Sequence, residues 1–342
     1  MTESHASHSG NSAAPPPEAT EEFFDRASAT YRELQDRITT ALESLESDQA
    51  CYNLDEAEGQ RPPRAAARFI EDLWAGDGAG ELRLGGGGRT RVLNDGRIFE
   101  KGGVNFSDVH GLFSEEFAAN MPGHSREFRA AGISLVLHPR NPHAPTVHAN
   151  FRVIRRGPPD AIERMWFGGG ADLTPHYLYV EDARRFHSAF RAACQRHAGV
   201  ADYKTMKADC DKYFYLPHRS EARGIGGIFY DYRDQHLEQM LAFSADAGAE
   251  FLNAYVPLMQ TRAAQQYDAA QRDFQLWKRG RYVEFNLIYD RGTTFGLRTG
   301  GRIESILMSL PPLVAWHYNY QPRPGSPEEA VLNVLRHPVD WL

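Results

Sequence analysis

The spacing of apolar residues changes period several times along this chain, and each change marks an element. Phe23, Phe24, Ala27, Tyr31, Leu34, Ile38, Leu42 and Leu45 recur every three or four positions, so a long amphipathic helix is expected there. Glu181–His197 repeats that spacing through Phe186, His187, Phe190 and Cys194, and it returns over Tyr203–Tyr215 and Gln235–Phe274. Ser326-Pro327-Glu328-Glu329 reads as a capping box with proline in the first turn, opening a last helix that runs to about Arg336.

Elsewhere the period drops to two. In Gly132–Arg152, Ile133, Leu135 and Leu137 alternate with Ser134, Val136 and His138, and Val147, Ala149, Phe151 and Val153 alternate with His148, Asn150 and Arg152. Pro139, Pro142 and Pro145 separate the two halves and exclude helix, so a hairpin is expected. With both apolar rows in the core, Ser134, His138, His148, Asn150 and Arg152 share one surface. Met165–Tyr179 reads as a strand broken by Gly168–Gly170, with Asp172 just beyond. Arg281–Arg291 also alternates, Val283, Phe285, Leu287 and Tyr289 against Glu284, Asn286, Ile288 and Asp290, and is expected to be a strand. Gly85–Gly88 lacks the Gly-Lys-Ser/Thr ending of a phosphate loop and is expected to be a tight turn. Strands and helices in this order indicate an α+β protein, a mostly antiparallel sheet covered by helices.

Composition narrows the class. At 342 residues, 42% hydrophobic and 24% charged, the chain is an ordinary soluble globular one. A net charge of -7 argues against a nucleic-acid partner. Cys51, Cys194 and Cys210 form no disulfide framework and no CxxC pair, which points to a reducing, cytoplasmic setting. No apolar run is long enough to span a membrane. Residues 1–20 are expected to be a disordered tail, and 47–67, with Pro62 and Pro63, a flexible insertion in a single domain over 21–342.

The hairpin row carries the candidate chemistry. His148 is of the residue type best suited to proton transfer, although a half-exposed surface histidine is the plain alternative. Arg152 offers a fork that matches a carboxylate, and Asn150 between them can orient the same group. Asp172 either faces a ligand that the glycines admit or caps a turn. Asp290-Arg291 is either a site or a surface turn, and Gly300-Gly301-Arg302 sets bare backbone beside an arginine or forms a hairpin turn. His138 and His148 could meet across the hairpin and be joined by His187 and His218 in a metal site, but His187 also suits a core and His218 a loop. No iron–sulfur, flavin or nicotinamide motif occurs, so an oxidation here would need oxygen with an electron-rich substrate, or a metal.

The motifs WFGGGADLTP, HPRNPHAPTVHANFR, DKYFYLPHR, RGIGGIFYD, RGRYVEFNLIYDRGTTFGL and RIESILMSLPP resemble the oxygen-dependent coproporphyrinogen III oxidases of haem biosynthesis, over about Gly85 to Leu342. The resemblance implies a large, flat antiparallel β-sheet between two layers of α-helices, and a homodimer joined near 282–317. It implies oxidative decarboxylation of two propionates of coproporphyrinogen III to vinyl groups, with molecular oxygen as acceptor, no organic cofactor, and carbon dioxide and hydrogen peroxide released. By the same match His148 is the proton donor, and Ser134, Asn150, Phe151, Arg152, Gly300, Gly301 and Arg302 contact substrate. Asp172 and Asp290 hold or deprotonate pyrrole N–H groups, and Arg152 and Arg291 meet propionates. His138, His148, His187 and His218 match positions given to a divalent metal in that family. Two competing functions are a histidine-ligated non-haem iron oxygenase and a tetrapyrrole carrier without catalysis.

Overall fold

The computed structural model describes residues 15–51, 65–76, 78, 82–119, 121–298 and 301–342. The chain runs α1 (Glu21–Ser47), β1 (Ile70–Ala75), β2 (Gly85–Asn94), β3 (Phe99–Leu112), α2 (Glu115–Ala119), β4 (Glu127–Pro139), β5 (Thr146–Arg156) and β6 (Arg164–Thr174). It continues through α3 (Val180–Arg196), α4 (Tyr203–Tyr213), the small hairpin β7 (Tyr215–Leu216) and β8 (Glu221–Ala222), and β9 (Gly227–Arg233). The last helices are α5 (Leu237–Arg262), α6 (Ala269–Ile288), α7 (Arg291–Arg298), α8 (Ile303–Leu307) and α9 (Pro327–Arg336). Seven strands form one sheet in the order β1-β2-β3-β4-β5-β6-β9, every neighbour antiparallel.

Alternation along the strands gives this sheet two unlike faces. One carries Val104, Phe106, Ile133, Leu135, Leu137, Val147, Ala149, Phe151, Val153, Phe167, Ala171, Leu173 and Ile228, all buried in one core with α1, α3 and α5. The apolar stripe of α1 read from the sequence is that core's second wall, since all eight of its residues are buried. The long helix starts where Thr20 Oγ1 accepts from the amide of Phe23 at 3.1 Å. The opposite face is polar and lies under α6–α8. There the His138 and Tyr282 rings meet edge to face at 5.1 Å, and Ser305 Oγ shares a hydrogen bond with Thr90 Oγ1 at 2.7 Å. Met308 packs over Gly103 of β3, where a Cβ would come within 2.5 Å of its sulfur. The α+β class and the sheet between helical layers are thus present.

The structure departs from the sequence reading at four places. Arg281–Arg291 is not a strand: it is the end of α6 and the first residue of α7. Over so short a window alternation does not separate strand from helix, whereas the buried Phe274, Lys278, Tyr282 and Phe285 recur at helical spacing. An Asp268–Gln271 capping box starts α6 and so divides the helical stretch 235–274 in two. Gly85–Gly88 is not a turn but the start of β2. Trp74 of β1 lies across it, and a Cβ on Gly88 would fall 2.2 Å from that indole. Nor do Gly168–Gly170 break β6, which pairs with β5 through all of them. Residues 1–14 and 52–64 lie outside the described residues, and with them most of the expected tail and insertion. No described helix is long and apolar enough to cross a membrane.

Candidate active site

Register decides which side chains share the polar face. Ser134 pairs with Asn150 and Asn150 with Gly170; Val136 pairs with His148 and His148 with Asp172; Gly132 pairs with Arg152 and Arg152 with Gly168. Directly paired residues point the same way, so Ser134, His148, Asn150 and Arg152 line one half-buried patch. Gly168 and Gly170 floor it without side chains. Phe151 is a correction: alternation turns its ring to the other face, where it is 1% exposed in the core, so only its backbone adjoins the patch.

Asp172 stands beside His148 on the same face of the sheet but is buried. It is 1% exposed, accepts His148 Nδ1–H at 2.8 Å, and accepts from Arg223 Nε at 3.2 Å and Nη2 at 2.7 and 2.9 Å. Burial by itself would push its pKa up; the Arg223 guanidinium, and then His148, outweigh that and hold it below the usual carboxylate range. Both oxygens therefore accept from protein donors. His148 Nε2 is left toward the patch, with Phe214 edge-on to the ring at 5.6 Å.

At the other end of the row Arg152 Nη1 donates to Asn150 Oδ1 at 2.8 Å and Nη2 pairs with Asp231 Oδ1 at 2.8 Å. Arg291, at the start of α7, reaches the same carboxylate at 3.2 Å and covers the Tyr213 ring at 4.9 Å. Two arginines thus converge on Asp231, a β9 residue that sequence reasoning passed over. The alternation of Phe229 and Asp231 against Ile228 and Tyr230 was the signal for it. Arg223 and Asn286 were missed as well, and neither carries a local signal.

Asp290 behaves as a cap. Its Oδ2 accepts from the amide of Thr293 at 2.7 Å, and Oδ1 accepts from Tyr213 Oη at 3.0 Å. Gly300 lies outside the described residues. Gly301 gives its N–H to the Gly296 carbonyl at 2.9 Å, and Arg302 pairs with Asp72 of the far strand β1. Arg302 therefore reaches the β1 edge of the sheet, at the opposite end from the β9 residue that Arg291 meets.

The four histidines do not assemble. His138 is buried and bonded to the Ser309 carbonyl at 2.9 Å and to Thr146 Oγ1 at 3.3 Å. Burial, with Arg279 nearby, pushes its pKa down to about 3. His187 lies in α3, bonded to Tyr203 Oη at 2.8 Å and the Ile225 carbonyl at 3.1 Å, and burial pushes it down to about 3. His218 meets Tyr289 Oη at 2.8 Å and Glu284 at 2.7 Å. Each of these three has both ring nitrogens engaged by the protein, and no group of three or more metal-binding side chains forms among the described residues. The expected four-histidine metal centre does not fit this arrangement.

What remains is an imidazole backed by a buried carboxylate, an amide and two arginines around a glycine floor. That set can bind a carboxylate-bearing ligand and move a proton beside it. Residues 26–341 match the family model for coproporphyrinogen III oxidase. The chain belongs to the coproporphyrinogen III oxidase family. The match begins within α1, well before the Gly85 from which motifs were legible. It makes the chain an oxidoreductase acting on coproporphyrinogen in porphyrin biosynthesis, and an anionic tetrapyrrole suits an open, glycine-floored face with arginines along it.

Proposed function

We propose that this protein uses molecular oxygen to convert two propionates of coproporphyrinogen III to vinyl groups, giving protoporphyrinogen IX. The observation that carries the reading is the β5 row. His148 and Arg152 stand on one face, roughly 13 Å apart by strand rise, with glycines of β6 alongside. For each propionate, the carboxylate leaves as carbon dioxide and its bonding pair becomes the new carbon–carbon double bond. The carbon next to the pyrrole gives up a hydrogen with two electrons. Oxygen takes those electrons, that hydrogen's proton and one further proton, and leaves as hydrogen peroxide.

In this scheme Arg152 and Arg291 hold propionates, Ser134 and Asn150 orient the ring edge, and His148 takes up a proton at Nε2 and delivers it from there. Asp172 keeps the other ring nitrogen protonated. Gly301 and Arg302 belong to a strap over the outer strands and meet a substituent on that side. No step runs through a metal. We also propose a cytoplasmic homodimer joined through 282–317. Leu287, Ile288, Leu297, Ile303, Leu313 and Trp316 are exposed there, half of the large exposed apolar side chains among the described residues.

The test is an assay of chelator-treated protein with coproporphyrinogen III, aerobic and anaerobic. One oxygen consumed per carbon dioxide released, with full turnover after chelation, is expected. Turnover without oxygen, or loss restored by a divalent metal, would overturn the scheme. Binding without oxygen uptake would mark a carrier. Sedimentation velocity reads the oligomeric state.

A further inference from the structure

Behind His148 lies a cation that meets no solvent. Arg223 sits between β8 and β9 and is 2% exposed. Its Nε and Nη2 are spent on Asp172, and Nη1 donates to Asn286 Oδ1 of α6 at 2.8 Å. Three rings wall the guanidinium: Phe214 at 4.1 Å, Tyr282 at 4.7 Å and Phe285 at 4.7 Å from its carbon to the ring centroids. Such a box fits a planar fork and excludes water from it. Asn286 is tied onward: its Nδ2 reaches Ser309 Oγ at 3.5 Å, and the Ser309 carbonyl accepts from His138.

We infer that Arg223 is a positioning residue for His148, fixing through Asp172 which ring nitrogen carries the hydrogen. A charged Asp172 can only accept, so the nitrogen facing it must be Nδ1–H, and Nε2 is the nitrogen presented to the patch. A protonated Asp172 would donate instead, and the neutral imidazole would invert to Nε2–H. Burial favours that protonated form; the bidentate guanidinium opposes it. Arg223 therefore decides the tautomer without touching the ligand. Lysine at 223 would carry the charge but reach one oxygen only, and would lose the flat contact with the rings.

The inference rests on the reading that His148 moves a proton, so its test has one arm that needs no turnover. Imidazole 15N spectra of the resting protein report the His148 tautomer. Nδ1–H is expected in the wild type, and Nε2–H or a mixture in Arg223→Gln. Kinetically, Arg223→Lys should lower kcat about tenfold and Arg223→Gln about a hundredfold, with KM within about twofold. Added to Asp172→Asn, Arg223→Gln should cost less than about threefold more, because both changes break the same link. An unchanged tautomer, additive losses, or a KM that rises as far as kcat falls would each overturn the inference. The last would mean that Arg223 holds a propionate itself. If neither Arg223 variant folds, Asn286→Ala decides, since it removes the acceptor that holds the guanidinium against Asp172: an altered His148 spectrum supports positioning, and an unaltered one overturns it. Wild-type protein that takes up no oxygen would sink the proposed reaction but leave the spectroscopic result standing.

Discussion

Asp172→Asn tests most of the site at once. The carboxylate accepts from three nitrogens, two on Arg223 and one on His148, at 2.7 to 3.2 Å. An amide of the same shape has one oxygen, and its NH2 meets a donor head-on, so at least one of those bonds is lost. The larger effect is electrostatic. Arg223 does not deprotonate and is left 2% exposed without a countercharge. Breaking a buried pair by removing one partner costs about 3–5 kcal/mol, a large part of the roughly 5–15 kcal/mol that holds a typical domain. The pH dependence has a definite sign. The folded pKa of Asp172 lies below its ordinary value. Its contribution is therefore complete above the unfolded carboxylate pKa of about 4 and is lost as pH falls through the lower folded value. The gap between wild type and variant should be widest near neutrality and narrow in acid. Urea unfolding followed by circular dichroism, at about pH 7 and below about pH 4, measures both points, and equal m-values would license the comparison. A loss under about 1 kcal/mol at neutral pH would refute the view that this pair is buried and charged. Turnover should fall about a hundredfold or more, because the imidazole loses its anchored tautomer.

Three further outcomes are expected. His148→Ala removes no core side chain, so the fold and its unfolding midpoint should stay while turnover falls at least about tenfold; near-normal rates would remove it from the mechanism. Arg152→Ala should chiefly raise KM for the porphyrinogen, and an unchanged KM in steady-state assays would count against a propionate contact. Glu100, buried between Arg272 at 2.6 Å and Arg279 at 2.6 Å, has its pKa brought down to about 2 by those arginines against the opposing cost of burial. Its stabilising effect is present above about pH 4.5 and lost as pH falls toward about 2. The size is at most about 3 kcal/mol, since the buried Arg279 is itself pushed down to about 10. Glu100→Gln should flatten the acid limb of a stability-versus-pH curve, and an unaltered limb would contradict the pairing.

Most of the framework was legible because it is periodic. The eight-residue stripe of α1, the hairpin β4–β5 and the cap of α9 each follow from spacing or a short signal, and the strand period alone put Ser134, His148, Asn150 and Arg152 on one face. The same rule had already turned Phe151 to the other face, and only the family resemblance set it among substrate contacts. Alternation failed at 281–291, where a buried helix and a strand look alike over a few residues. The glycines of β2 misled because the reason for them, the Trp74 ring, lies on another strand.

What the sequence by itself determined is the local part: which residues alternate, which stretch can wind, and that a proton carrier, an amide and a cation stand in a row. What only the tertiary structure decided is what those groups are paired with. Arg223 reaches Asp172 across 51 positions, Asn286 reaches Arg223 across 63, and Arg291 reaches Asp231 across 60. No local pattern encodes such separations. They tie Asp172 to Arg223 and His148, set Arg291 against Asp231, and leave the four histidines apart. Periodicity fixes a side chain's direction; charge and burial, which fix its chemistry, depend on chain brought in from far away.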